Sequence, residues 1–316
     1  IPEASRQGLF KLISFSAKDA NPPSFAPADA AKFTRIRLDL QKSWATLEST
    51  VVEMFPQVGG VIQLLELAGK DKNPDFDLRK SLIGNLGDDL ITYEKSPRKL
   101  TMEELDSPPS LLLIGSPRAE QLAAALKTLA TSLLPPQTSK IKEREFLGRK
   151  VYSVSLPSSR GEENEKPVER TLSFCASGGY VALSSETAMV EEFLRNNADK
   201  SLRETPGLPA AAEKVGGMST GLFGYENQRE SWRAKWETLR QVESGSVADL
   251  LSGSSLSLRF RVNEDNHPLK DWLDFSLLPP FEQVAKYFHF SVWSGNVTAE
   301  EIQFKFFTPV PPEMKK

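Results

Sequence analysis

The sequence predicts an α+β fold: antiparallel sheets with helices packed on one face, and partial internal duplication of a strand–helix and helix–hairpin unit. Two observations carry this. The first is an echo between the chain's ends. The run 33-FTRIRLDLQKSWATLE-48 reads as strand, turn and Trp-bearing helix, and 221-GLFGYENQRESWRAKWETLR-240 reads the same way. Next come 79-RKSLIGNLGDDLITYEKS-96 and 110-SLLLIGSP-117, matched by 281-FEQVAKYFHFSVWSGN-296 and 302-IQFKFFTP-309, each a helical stretch, a strand, a polar turn and a strand ending at Ser/Thr-Pro. The second is that hairpin signals, rather than regular βαβ alternation, join most of the strands.

The elements follow in order. Residues 3–19 predict a short amphipathic helix, broken by 21-NPPSFAP-27, so that 1–24 is a helix and connector. Residues 25–205 form a first unit and 206–316 a second, shorter one packed against it, divided at Pro206, Gly207 and Pro209. In the strand near Phe33–Leu38, alternation puts Phe33, Arg35 and Arg37 on one face. Asp39 is an N-cap for a helix whose Trp44, Leu47, Val51, Met54 and Phe55 form one stripe, which predicts a buried Trp44; Pro56 ends it. A helix over 58–70 and a third ending near Gly87 follow. The Ala- and Leu-rich 118–134 is the strongest helix signal, bounded by Pro117 and Pro135. A strand over 144–156, two strands around Gly178-Gly179 and a helix over 186–197 complete the unit. The second unit adds the strand–helix echo, a strand over 256–262, a helix near 281–287 and two terminal strands.

Composition excludes several function classes. The 316 residues are 39% hydrophobic and 26% charged, with a net charge of −3, so nothing drives general attraction to nucleic acid or anionic membranes. No run approaches the ~18 to 20 apolar residues a membrane helix needs. Charges at Glu3, Arg6, Lys11, Lys18 and Asp19 rule out a signal peptide at residues 1–20. The start at Ile1 reads as a processed chain or a piece of a longer one. Cys175 is the single cysteine, a small apolar residue of a strand, and no intrachain disulfide forms.

Motifs for chemistry are sparse. The chain has no GxSxG elbow, no Gly-x-Gly phosphate loop, no HExxH and no Cys/His ligand spacing, so no cofactor or metal is expected. The Ser-x-x-Lys pairs Ser96/Lys99 and Ser139/Lys142 lie beside prolines that oppose the helical turn such chemistry needs. His289 lies in a strand. Four residues remain as weak ligand-binding candidates: the paired carboxylates Asp88 and Asp89 at a helix-to-strand junction, His267 in the acidic loop 263-NEDNHP-268, and Trp272, flanked by Asp271 and Asp274. A carboxylate pair suits acid/base work when a neighbour shifts one pKa, and an exposed tryptophan suits stacking.

The runs 25-FAPADAAKFTRIRLDLQKSWATLE-48, 83-IGNLGDDLITYEKSP-97, 111-LLLIGSPRAEQLAAALK-127, 145-EFLGRKVYSV-154 and 286-KYFHFSVWSGN-296 resemble a domain-of-unknown-function family of exported bacterial proteins, abundant in Verrucomicrobia- and Planctomycetes-type bacteria. The resemblance spans nearly the whole chain and rests on structural motifs. It implies a periplasmic or extracellular location and a longer polypeptide, and it supplies no catalytic residues. The expectation is therefore a non-catalytic extracytoplasmic binding or structural module, whose partner is an envelope or extracellular ligand. The alternatives are a carboxylate-based hydrolase using Asp88 or Asp89 and a carrier of an apolar ligand.

Overall fold

A single ten-stranded antiparallel sheet organises the chain in the computed structural model, which describes residues 2–13, 15, 17–98, 105, 107–133, 141–156, 170–196, 200–241 and 275–314. The strands are β1 (Lys32–Arg37), β2 (Asp89–Glu94), β3 (Ser110–Gly115), β4 (Lys142–Phe146), β5 (Arg149–Leu156), β6 (Arg170–Ser177), β7 (Tyr180–Ser184), β8 (Leu222–Asn227), β9 (Phe290–Val297) and β10 (Ile302–Phe307). Their order is β10-β9-β8-β1-β2-β3-β7-β6-β5-β4. The sheet thus runs unbroken through both predicted units, because β1 pairs with β8 as well as with β2.

Register explains the core. One transverse row runs Val151, Cys175, Ala182, Leu113, Ile91, Arg35, Phe223, Ser294 across eight strands. Every member is buried. The next row on this face includes Leu111, Tyr93, Phe33, Tyr225 and Val292, also buried. Side chains two apart on a strand share a face, so these rows form one continuous apolar surface.

The helices are α1 (Leu40–Met54), α2 (Gln57–Lys72), α3 (Ala119–Leu133), α4 (Thr187–Arg195), α5 (Leu208–Lys214), α6 (Gln228–Gln241) and the single turn α7 (Phe281–Val284). They do not all lie on one face, which corrects that expectation. Phe174 and Ala176 of β6 cluster with Leu122 and Ala123 of α3, whereas Cys175 between them clusters with Met189, Val190 and Phe193 of α4. Alternation along β6 therefore puts α3 and α4 on opposite sides. The apolar residues of β5 to β7 point both ways, and each side needs a cover.

Other boundaries shift for local reasons. Where one helix is expected over 3–19, the described residues form two short 3-10 turns, Glu3–Ser5 and Gly8–Leu12; Gly8, at φ +55°, breaks the helical path. The strand expected over 144–156 is the hairpin β4–β5, turned at Leu147 and Gly148, both with positive φ. The turn at Gly178-Gly179, joining β6 and β7, has positive φ at both positions, as expected. The helix expected to end near Gly87 is a π turn (Leu78–Leu82) followed by a 3-10 turn (Ile83–Asn85). The strand expected over 256–262 lies outside the described residues.

Trp44 is only partly buried, because α1 contains no fully buried residue, and its indole N–H donates to Glu48 on the same helix. The stripe from Trp44 to Phe55 is thus not a core face: Met54 and Phe55 are half or more exposed. Phe33, fully buried in the central row of β1, carries the packing instead. Phe33→Ala is expected to cost ~3 to 5 kcal/mol in urea denaturation, and Trp44→Ala clearly less, since only a buried ring leaves a cavity.

Candidate functional site

At one end of strands β1, β2, β3 and β7, Asp88 and Asp89 line an open cleft of about 680 Å³ with Arg37, Lys42, Ser116, Tyr180 and others. Its construction follows from the register. Arg35 and Arg37 are two apart on β1 and face the same side, and Arg37 pairs directly with Asp89 on β2. Across the sheet, Gly115 of β3 pairs with Tyr180 of β7. A Cβ at Gly115 would sit 2.9 Å from the Asp89 carbonyl oxygen, so glycine lets β3 pass this close to Asp89.

Asp89 is buried and accepts four hydrogen bonds. Arg35 donates from Nε at 2.9 Å and from Nη2 at 2.7 Å, Arg37 Nη1 donates at 3.0 Å, and the Tyr180 hydroxyl donates at 2.7 Å. The Arg35 fork on one carboxylate is the strong bidentate geometry. Arg35 Nη1 also donates to the Asn21 carbonyl oxygen at 2.7 Å and lies 3.6 Å from Asp19, which fastens residues 19–21 to the sheet. Asp88, more exposed, pairs with Lys18 and with Arg37 Nη2. Three cations, Lys18, Arg35 and Arg37, therefore meet three carboxylates, Asp19, Asp88 and Asp89. Arg37 Nε is buried without a hydrogen-bond partner among the described residues.

The electrostatics agree with cohesion. The hydrogen bond from Lys18, with help from Arg37, holds the Asp88 carboxyl below the usual carboxylate range. For Asp19, partial burial opposes ionisation, but bonds from Asn21 and the Arg35 charge outweigh it and also lower the pKa. Burial, reinforced by the bond to Asp89, pushes the Tyr180 hydroxyl up to about 12. A general acid or base needs a group that exchanges its proton near neutral pH, and Asp88, Asp19 and Tyr180 are each moved away from that range. Cys175 is fully buried, and burial pushes its thiol up to about 12, far from a thiolate nucleophile.

A second cleft, of about 570 Å³, lies beyond the other end of β2. There Lys95 pairs with Asp29 and Glu192, and the Ser96 hydroxyl reaches Glu230 at 3.4 Å.

Of the four sequence candidates, the structure brings Asp88 and Asp89 together in one cluster, while His267 and Trp272 lie outside the described residues. Sequence reasoning missed the roles of Arg35, Arg37, Lys18, Asp19 and Tyr180. The signal was present for two of them: two arginines on the Phe33 face of a strand demand a buried anion. No group of three or more His, Cys, Asp or Glu among the described residues is arranged to hold a metal ion. No described helix is long and apolar enough to cross a membrane. Comparison with family models, curated proteins and solved structures finds no match for this chain.

Arg35→Met strands the buried Asp89 carboxylate and is expected to destabilise the fold by ~3 to 5 kcal/mol in urea titration at neutral pH. A carboxylate with a lowered folded-state pKa contributes stability above its unfolded value, ~4, and loses it as pH falls through the folded value. Unfolding free energy should therefore drop as the pH goes below ~4, and less steeply in Asp88→Asn. Tyr180 has the opposite sign. Its contribution is complete below ~10 and fades as pH rises toward 12, and Tyr180→Phe should remove that alkaline loss.

Proposed function

We propose that the protein is a non-catalytic extracytoplasmic module, part of a longer exported polypeptide, that binds an envelope or extracellular ligand or serves as structural scaffold. The observation that carries this reading is the internal charge pairing of the Asp88–Asp89 cluster, which leaves Arg37 Nε as its one buried side-chain donor without a partner among the described residues. Its acids and cations are spent on one another and on the segment at residues 18–21, so the cluster acts as a fastening. Surface chemistry suited to contact lies elsewhere, in large apolar side chains exposed on strand β10 and helix α2. The resemblance to exported bacterial proteins supports the location.

The same reading takes the scaffold as a partial internal duplication. From the β1–β8 pair, β1-β2-β3 runs outward on one side and β8-β9-β10 on the other, and each first strand leads into a helix.

The test is enzymatic. Purified protein should give no turnover in screens with esterase, glycosidase, phosphatase and peptidase substrates. Reproducible hydrolysis lost in Asp88→Asn, Asp89→Asn or His267→Ala, with folding retained by circular dichroism, overturns the module in favour of the carboxylate-based hydrolase.

A further inference from the structure

Helix α2 is apolar on two sides. One side packs toward α3: Ile62 lies in a cluster with Phe76, Ala125 and Leu129, and Gly69 sits under the Phe76 ring. The other side carries Val61, Leu64 and Leu67 at 54%, 67% and 62% exposure, and the α1–α2 junction adds Met54 and Phe55 at 63% and 50%. Positions 57, 60, 61, 64 and 67 fall on one helical stripe. With one side of the helix already packed, a second apolar stripe left in water is a surface suited to being covered.

We propose that this outer side of α2 docks on the α2 of a second copy of the chain, antiparallel, about a two-fold axis near Leu64. Three features favour a second copy. The first is area. Side chains of this size present on the order of 150 to 200 Å² when fully free, so the five exposed fractions sum to roughly 500 Å² per copy and about 1,000 Å² per dimer, the threshold for a specific interface.

The second is charge. The exposed residues between and beside the apolar ones, Gln57, Gly60 and Gln63, are neutral. Glu66, on the flank of the helix, is neutralised by Lys70 at 2.7 Å, and the other charges stand at the ends, with Glu53 before the helix and Asp71 and Lys72 at its close. An antiparallel dyad brings Lys72 of one copy toward Glu53 of the other, and it opposes the two helix dipoles. Charges of both signs around the patch also give no basic excess of the kind that draws an amphipathic helix to an anionic lipid surface.

The third is shape. Gly60, on the stripe, has open space where a Cβ would stand, so the partner helix can approach closely at that end. The inference is independent of the ligand reading: it concerns assembly, and either can fail alone.

The experiment is sedimentation velocity with light scattering on the full chain, from about 1 to about 200 µM, where mass action should carry the particle from monomer to dimer. The 35.1 kDa monomer should double in mass as concentration rises. Leu64→Arg, at an exposed position, should keep the native circular dichroism and weaken dimerisation at least tenfold, and Leu67→Glu should do the same if the first variant expresses poorly. Leu64→Cys should form a disulfide-linked dimer under mild oxidant, while the buried Cys175 stays silent. Phe304→Arg on β10 should leave the dimer intact. A chain that stays monomeric at the highest concentration, or a dimer that survives Leu64→Arg and Leu67→Glu, or one lost in Phe304→Arg, overturns the proposal.

Discussion

Much of this structure answers to one buried charge. In the transverse row that crosses eight strands, Arg35 is the charged member among apolar and small polar neighbours. Its solvation cannot be surrendered without replacement, since an unpaired buried ion costs several kcal/mol. Asp89 supplies that replacement, and doing so ties down everything around it. The carboxylate must face the same side as Arg35, which fixes the pairing of β2 against β1. Gly115 must lack a side chain so that β3 can run close against Asp89, and Tyr180 reaches the carboxylate from β7. A slip of one residue in any of these strands would turn the partner to the opposite face and leave the guanidinium alone. The cluster is thus better read as a register pin than as a source of net stability.

The segment from residue 18 to residue 31 lies against the same face of the sheet, and its small residues suit that place. Ala20, Ala26 and Ala30 are fully buried in the main core cluster, where larger side chains would lift the segment away. Its ends are held alike: Asp19 near Arg35 at one, Asp29 on Lys95 at the other. Backbone bonds from Ala20 to Met218 and from Leu202 to Ala26, with Arg203 on the Pro22 carbonyl, join it to the later part of the chain. The two clefts are the open margins where these fastenings meet solvent.

The sequence made local elements readable and long-range ones obscure. The echo at 33–48 and 221–240 became β1–α1 and β8–α6, and the Ala-rich stretch became α3 within a residue at each end. These signals are local periodicity, capping and proline, which the chain carries in short windows. The Gly178-Gly179 turn was legible for the same reason, whereas Leu147-Gly148 hid inside a strand-like run because leucine seldom takes positive φ. Placement of helices on both faces was not legible. It depends on which strands end up between which helices, and β6 reads identically whether one or both of its faces are covered by helix. The site was half legible: the Asp88-Asp89 pair stood out, but its partners on the sheet are 51 to 91 residues away in sequence and carry no motif.

The pairing of β1 with β8 has a consequence for biosynthesis. Close to 190 residues separate Phe33 from its neighbour Tyr225, so this seam of the sheet closes only after most of the chain has left the ribosome. Until then β1 has β2 on one side and an open hydrogen-bonding margin on the other, with Arg35 already needing its anion. Because Asp89 lies on the earlier neighbour, a nascent β1–β2–β3 meander can neutralise that charge before β8 exists. What it cannot do is cover the waiting edge, which makes the half-made chain a natural client for a holdase and this long-range seam a candidate rate-limiting step of folding.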